Sequence, residues 1–224
     1  MMHEGGTASR RQLGTIPTPC ATVQAGLEKS GNFRVPSPCG APKMGAMKHY
    51  IWDSYFVELF DACVDEYDEG NRDFEAWFSD EDQEFLKSIG CREREFFDFV
   101  EDNVTSGGED PTAITALLVA AVRRDYFLAI QKGVPSARIV QPSELPAKTA
   151  EMDGIPWLPR IIAKARAKLR GEMDPDTMFG CGGDRAFLSK FDIHPADFLR
   201  VVWAAGDDDE KILRHVRERQ AAIV

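Results

Sequence analysis

The sequence predicts an all-α fold: two related small helical lobes behind a disordered N-terminal tail. Three observations carry this expectation. Large apolar side chains recur three and four residues apart wherever the chain is apolar enough to fold, which places them on one helix face. No stretch alternates apolar and polar residues far enough to specify a strand. Slid over itself by 102 residues, the chain brings its apolar positions into register for more than forty residues without an insertion.

Residues 1 to 48 are rich in Gly, Pro, Ser and Thr and read as a disordered tail. They lack the continuous apolar core of a secretory signal, and Pro17, Pro19, Pro36, Pro38 and Pro42 spoil the amphipathic helix of an organelle-targeting peptide. Met44 and Met47, just before the first apolar stretch, are alternative translation starts.

Residues 49 to 133 form the first expected lobe. Trp52, Tyr55, Phe56, Leu59, Phe60, Cys63 and Tyr67 make a helical stripe ended by Gly70. Ser79 can cap the next helix, whose first turn holds Asp80, Glu81 and Asp82 at the positive end of the dipole; Phe85, Leu86 and Ile89 follow, and Gly90 stops it. Phe96, Phe97, Phe99 and Val100 mark a third helix, and Asp110-Pro111 reads as the start of a fourth that runs to about Gly133.

Pro135, Pro142, Pro146 and Pro156, with few apolar neighbours, mark residues 134 to 153 as a linker. The second lobe spans 154 to 224. Leu158, Ile161, Ile162, Ala165 and Leu169 form a stripe closed by Gly171. Asp184 is the expected start of a short helix, Pro195 of another ending at Gly206, and Asp207, Asp208 and Asp209 precede the last.

The formal net charge of -10 argues against a nucleic-acid binder driven by global charge, but it is unevenly distributed. Residues 49 to 110 carry 20 acids and 4 bases, while residues 111 to 224 carry 17 bases and 15 acids. The contrast is sharpest at matched helices. The 56 to 69 segment holds six acids and no base, and the 158 to 171 segment holds Arg160, Lys164, Arg166, Lys168 and Arg170 and no acid. Arg160, Lys164 and Lys168 make a row of like charges four apart, which must be neutralised by the acidic copy, by Asp184, by a bound anion or by solvent. No apolar run is long enough to span a membrane. Cys20, Cys39, Cys63, Cys91 and Cys181 are odd in number and form no C-x-x-C pair, so neither a disulfide scaffold nor a zinc site is expected, and a cytoplasmic location is.

W-L-P-R-x-x-x-K-A-R-A at 157 to 167, C-G-G-D-R-x-F at 181 to 187 and D-I-H-P-x-D-F-L at 192 to 199 give the second lobe a recognisable pattern. With these motifs it resembles a family of small bacterial domains known only as a domain of unknown function, family five-zero-six-nine. The resemblance implies a small helical domain and no activity. The first lobe departs from the pattern, with Glu58 in place of Arg160 and Ala62 in place of Lys164.

The densest chemistry is Cys181-Gly182-Gly183-Asp184 leading into a helix. Glycines before a helix free backbone N–H groups to face an anion, and Arg160 and Lys164 can converge on it. Arg160, Lys164, Gly182, Gly183 and Asp184 are therefore candidate ligands of a small anion. Alternatively, Asp184 is an N-cap tied to Arg160, and the glycines simply make a turn. Cys181 with His194 is the candidate pair for a cysteine hydrolase or transferase. The expectation from the residues is an interaction or small-anion-binding module rather than an enzyme, with no cofactor, no metal, and a protein or small anion as its partner.

Overall fold

The computed structural model describes residues 49 to 223, so the tail and its translation starts lie outside the described residues. The described chain is mostly helical. In order come α1 (Trp52–Asp68), α2 (Asp80–Ser88), α3 (Glu93–Thr105), α4 (Ala113–Ala129), α5 (Leu158–Arg170), α6 (Gly182–Ser189), α7 (Pro195–Ala205) and α8 (Asp209–Ile223). Between α4 and α5 lies a short antiparallel hairpin, β1 (Glu151–Met152) with β2 (Ile155–Pro156).

Each helix forms where its apolar stripe and caps coincide. On α1 the predicted stripe is buried from Tyr55 onward, at Tyr55, Phe56, Leu59, Phe60, Cys63 and Tyr67, and Trp52 at its start is half-buried. It packs on α3, where Phe96 meets Phe56 at 5.0 Å and Phe60 at 5.9 Å between ring centroids, and Phe97 meets Trp77 at 5.0 Å. Offset and edge-to-face pairs of this kind add about 0.5–1.5 kcal/mol each beyond the area they bury. Ser79 caps α2 as expected, with Asp82 completing a reciprocal capping box. Helix α4 packs on α1, α5 and α7 through Ala116, Val119, Ala120, Val122 and Phe127, so one continuous core runs from α1 to α8.

Two helix starts differ from expectation. The Asp110–Pro111 bond is cis, and α4 begins at Ala113 with Thr112 as its cap, accepting the Thr115 N–H at 3.1 Å. Asp184 does not cap α6. Cys181 occupies the cap position, Gly182 and Gly183 form the first turn, and Asp184 is the third helical residue, turned inward and fully buried.

Residues 134 to 153 follow the second half closely. The Val140 N–H donates to the Glu172 carbonyl at 2.8 Å, Ser136 Oγ to Glu172 Oε1 at 2.8 Å, and Leu145 is buried. The hairpin turns at Asp153 and Gly154, both at positive φ, the geometry for which Asp-Gly is favoured in a two-residue loop.

The offset seen in the sequence recurs in the backbone. Helices α2 and α6 begin at Asp80 and Gly182, and α3 and α7 at Glu93 and Pro195, both 102 residues apart. Gly90 and Asp192, also 102 apart, are both left-handed.

Candidate functional site

Trp157, the residue before α5, sits at φ 73, a conformation costly for a bulky side chain. In that position its indole lies against Gly183, where an added Cβ would come within 3.0 Å of Trp157 Cζ2. Its Nε1 donates to Asp184 Oδ1 at 2.9 Å. About two turns into α5, Lys164 pairs with Asp184 Oδ2, and the Gly180 N–H donates to the same oxygen at 3.0 Å. Lys164 is 3% exposed and Asp184 0%. Burying an ion pair carries a large desolvation cost, offset only when the remaining hydrogen-bond capacity is also met, and three donors converge on this carboxylate. Lys164 Nζ donates also to Cys181 Sγ at 3.3 Å.

Beside this cluster opens a cleft of about 400 Å³, lined by Trp157, Arg160, Lys164, Cys181 and Gly183 from the second half, by Arg94, Asp98, Glu101 and Asp102 of α3, and by Lys148 and Asp176. Three positions of the sequence candidate set line it directly, Arg160, Lys164 and Gly183, and Asp184 lies beneath it. Gly182 is exposed at the adjoining helix start. Arg160 does not pair with Asp184; its Nη1 donates to the Pro146 carbonyl at 2.7 Å.

His194 is placed elsewhere. It caps α7, its Nδ1 accepting the Ala196 N–H at 3.2 Å, and lines a second cleft with Asp110, Arg185 and Pro195. Cys181 and His194 flank opposite ends of α6, eight residues that rise about 12 Å at 1.5 Å each. The structure thus brings Cys181 to a lysine and leaves the histidine in a capping role.

Four bases of α5 find counter-ions on α3, on α6, on α8 and in the turn before α8. Lys164 pairs with Asp184, Arg166 with Asp209 at 2.6 Å, Lys168 with Glu95 at 3.5 Å and Arg170 with Asp207 at 3.6 Å. Among the described residues no α1 carboxylate pairs with an α5 base, so the complementarity between the 56 to 69 and 158 to 171 segments is not realised as ion pairs. Arg160 is the one α5 base without a carboxylate partner in that set.

Two acids on α3 were not singled out by sequence. Burial raises Asp98 to about 6, with Arg94, 2.9 Å away, opposing the rise and Glu101 adding to it. Burial also pushes Glu95 upward, but Lys168, Arg92 and the Arg92 N–H outweigh it and hold the carboxyl below its ordinary value. Neither was legible, because a helix carrying both aromatic and acidic residues does not reveal which acids face the core. Among the described residues no three His, Cys, Asp or Glu side chains are placed to hold a metal ion, and no helix is long and apolar enough to cross a membrane.

The same arrangement exists in reduced form 102 residues earlier. Tyr55 Oη donates to Asp82 Oδ1 at 2.7 Å, as Trp157 does to Asp184. There the second carboxylate oxygen accepts from Ser79 Oγ at 2.6 Å and from Ser79 N–H at 2.9 Å. Ser79 stands where Cys181 does, and Ala62 where Lys164 does.

Residues 144–222 match the family model described as Domain of unknown function (DUF5069), so the family resemblance holds for the C-terminal part of the chain. Comparison with curated proteins and with solved structures gives no match.

Proposed function

We propose that the protein is a small-ligand-binding module whose cleft takes an anionic group at Arg160. The carrying observation is the inventory of α5: four of its five bases are matched by carboxylates, and the remaining one, Arg160, faces the cleft with only a backbone carbonyl as partner. Lys148 lines the same cleft, exposed and without a carboxylate partner among the described residues. A guanidinium so placed offers further N–H donors in the planar fork that suits a carboxylate or phosphate. The cleft is also lined by Asp98, Glu101 and Asp102 of α3, of which Asp98 is paired with Arg94 and Asp102 with Arg185, so the ligand best suited is small and polar, with an anionic end at Arg160 and a hydrogen-bond donor for Glu101.

The 102-residue offset shared by helix starts and by the aromatic–aspartate tie supports this division. In our reading the chain is a tandem of two related three-helix units, of which the first keeps the aromatic–aspartate tie and lacks the bases, and the second carries the site. The test is a thermal-shift screen of small phosphorylated and carboxylated metabolites at near-neutral pH. A ligand at about 100 times its Kd stabilises the native state by about 2.7 kcal/mol, enough for a shift of several degrees. Arg160→Glu should abolish the shift while leaving the unliganded transition in place. A ligand whose shift survives Arg160→Glu would show that the site lies elsewhere.

A further inference from the structure

We propose that the same cleft is a covalent acyl-transfer site in which Cys181 is the nucleophile, Lys164 its charge partner and proton donor, and Asp184 the residue that positions Lys164. The juxtaposition is that of an activated nucleophile: the thiol lies within hydrogen-bond reach of a partner, and that partner is oriented by a third group. Cys181 is half-buried and lines the cleft, whereas Cys63 and Cys91 are fully buried. A lysine ammonium can donate three hydrogen bonds, and Lys164 has two acceptors among the described residues, Asp184 and Cys181. Its third N–H belongs to a side chain 4% exposed that lines the cleft, so a donor held at high desolvation cost remains open to whatever enters.

The first half is the internal comparison. There an aspartate at the third position of its helix is tied to an aromatic one helix back and satisfied by Ser79, with no lysine and no thiol. The fold closes that corner without either group. Lys164 and Cys181 are additions to a scaffold that is complete without them, and they touch each other.

The substrate class is an activated acyl compound, an ester or thioester, and the inference rests on the binding reading, with the substrate's anionic group on Arg160. Cys181 loses its thiol proton to solvent, and the Lys164 ammonium stabilises the sulfur charge. Sulfur attacks the carbonyl carbon and the C–S bond forms. The displaced electron pair resides on the carbonyl oxygen, near the N–H groups of Gly182 and Gly183, which have no intrahelical acceptor in the first turn of α6. Collapse breaks the bond to the leaving oxygen or sulfur, which takes a proton from Lys164. The lysine amine then accepts a proton from the water that hydrolyses the thioester, so acid is released and thiolate and ammonium are restored.

The test treats the full chain with p-nitrophenyl acetate and follows nitrophenolate release together with the intact and peptide masses. The expected result is a burst of one equivalent, an acetyl group on Cys181, and acylation at least about tenfold faster than that of N-acetylcysteine in the same buffer. Cys181→Ser should remove the burst. Lys164→Met should slow acylation by at least about tenfold, because the sulfur loses the cation that holds its charge, and Lys164→Arg, which keeps a cation beside Asp184 and Cys181 but cannot exchange its proton, should retain the burst and lose the later hydrolysis of the acetyl-enzyme. Asp184→Asn should lower the saturating acylation rate and leave the half-saturating ester concentration unchanged. Should Lys164→Met fail to fold, the Lys164→Arg and Cys181→Ser comparison carries the test. Acylation of Cys181 no faster than that of N-acetylcysteine, or unchanged by loss of the lysine, overturns the proposal. If Cys181→Ser keeps the anion-dependent thermal shift and the native chain shows no burst, catalysis fails and binding stands. A burst without any anion-dependent shift sinks the binding reading alone.

Discussion

Replacing Lys164 by alanine should cost the protein about 3–5 kcal/mol, because it leaves the buried Asp184 carboxylate uncompensated. Two partners remain after the substitution, Trp157 Nε1 at 2.9 Å and the Gly180 N–H at 3.0 Å, which places the cost below that of a wholly isolated charge. Against a typical total of about 5–15 kcal/mol, this is a large share. The first half says how the loss can be repaired. Asp82 lives beside Ala62 by accepting from Ser79 Oγ at 2.6 Å, and Cys181 is the residue at Ser79's position. Adding Cys181→Ser to Lys164→Ala should therefore recover about 1.5–3 kcal/mol, the range of a hydrogen bond to a charged group. Cys181→Ser alone should change stability by less than about 1 kcal/mol, since Lys164 still holds the carboxylate. Urea denaturation followed by circular dichroism and tryptophan fluorescence gives all three values, with equal m-values required for the comparison. A Lys164→Ala cost under about 1 kcal/mol would refute the account of the buried pair. A serine that recovers nothing in the Lys164→Ala background would refute the equivalence of the two corners.

Asp98, raised to about 6 by burial, binds its proton more tightly in the folded chain than in the unfolded one. The Asp98 contribution to stability should accordingly fall as pH rises from about 4 to 6 and then level, so that Asp98→Asn, compared with the native chain at each pH, should gain up to about 3 kcal/mol by pH 8, as denaturation at several pH values will show. Gly171→Ala should cost about 1–2 kcal/mol in the same assay, because Gly171 ends α5 at φ 69 and an added Cβ would meet the Arg123 guanidinium. Cys91, pushed up to about 12 by burial and by Glu95, should resist alkylation in native buffer along with Cys63 and react only as urea unfolds the chain, so early modification at Cys91 would expose local opening there.

Helices were legible because their signal is local. The stripe on α1 and the Ser79 cap of α2 depend on residues three and four apart, and both appear in the structure, which adds the reciprocal bond to Asp82. The errors concern features set by distant partners. Asp184 resembles an N-cap by sequence, but Trp157 and Lys164, 27 and 20 residues away, draw it into the core as the third helical residue. Cys181 and His194 look close along the chain, yet the helix between them holds them apart. Asp-Gly at 153 and 154 was a usable hairpin signal, obscured by strands only two residues long. Counter-ions were the least legible of all. The α5 row reads as a partner for the acidic α1 face, while Glu95, Asp184 and the Asp207–Asp209 run neutralise it from three separate regions of the chain.

This last fact changes what the charge asymmetry means. On α1, Asp53, Glu58, Asp61, Asp65, Asp68 and Glu69 are exposed, where like charges are weakly penalised at physiological salt, and no base on α5 is needed to hold them. On α5, by contrast, Lys164 and Lys168 are both 3% exposed, and each must be matched by a carboxylate from another helix. One half thus spends its charges in solvent and the other carries them into the core, although the two share helix spacing and the aromatic–aspartate tie. Packing requirements cannot account for that difference at position 164, since the corresponding corner closes over Ala62. In the proposed acyl transfer, the buried lysine at position 164 has a role that the first half lacks, to hold the charge on the half-buried thiol that lines the cleft.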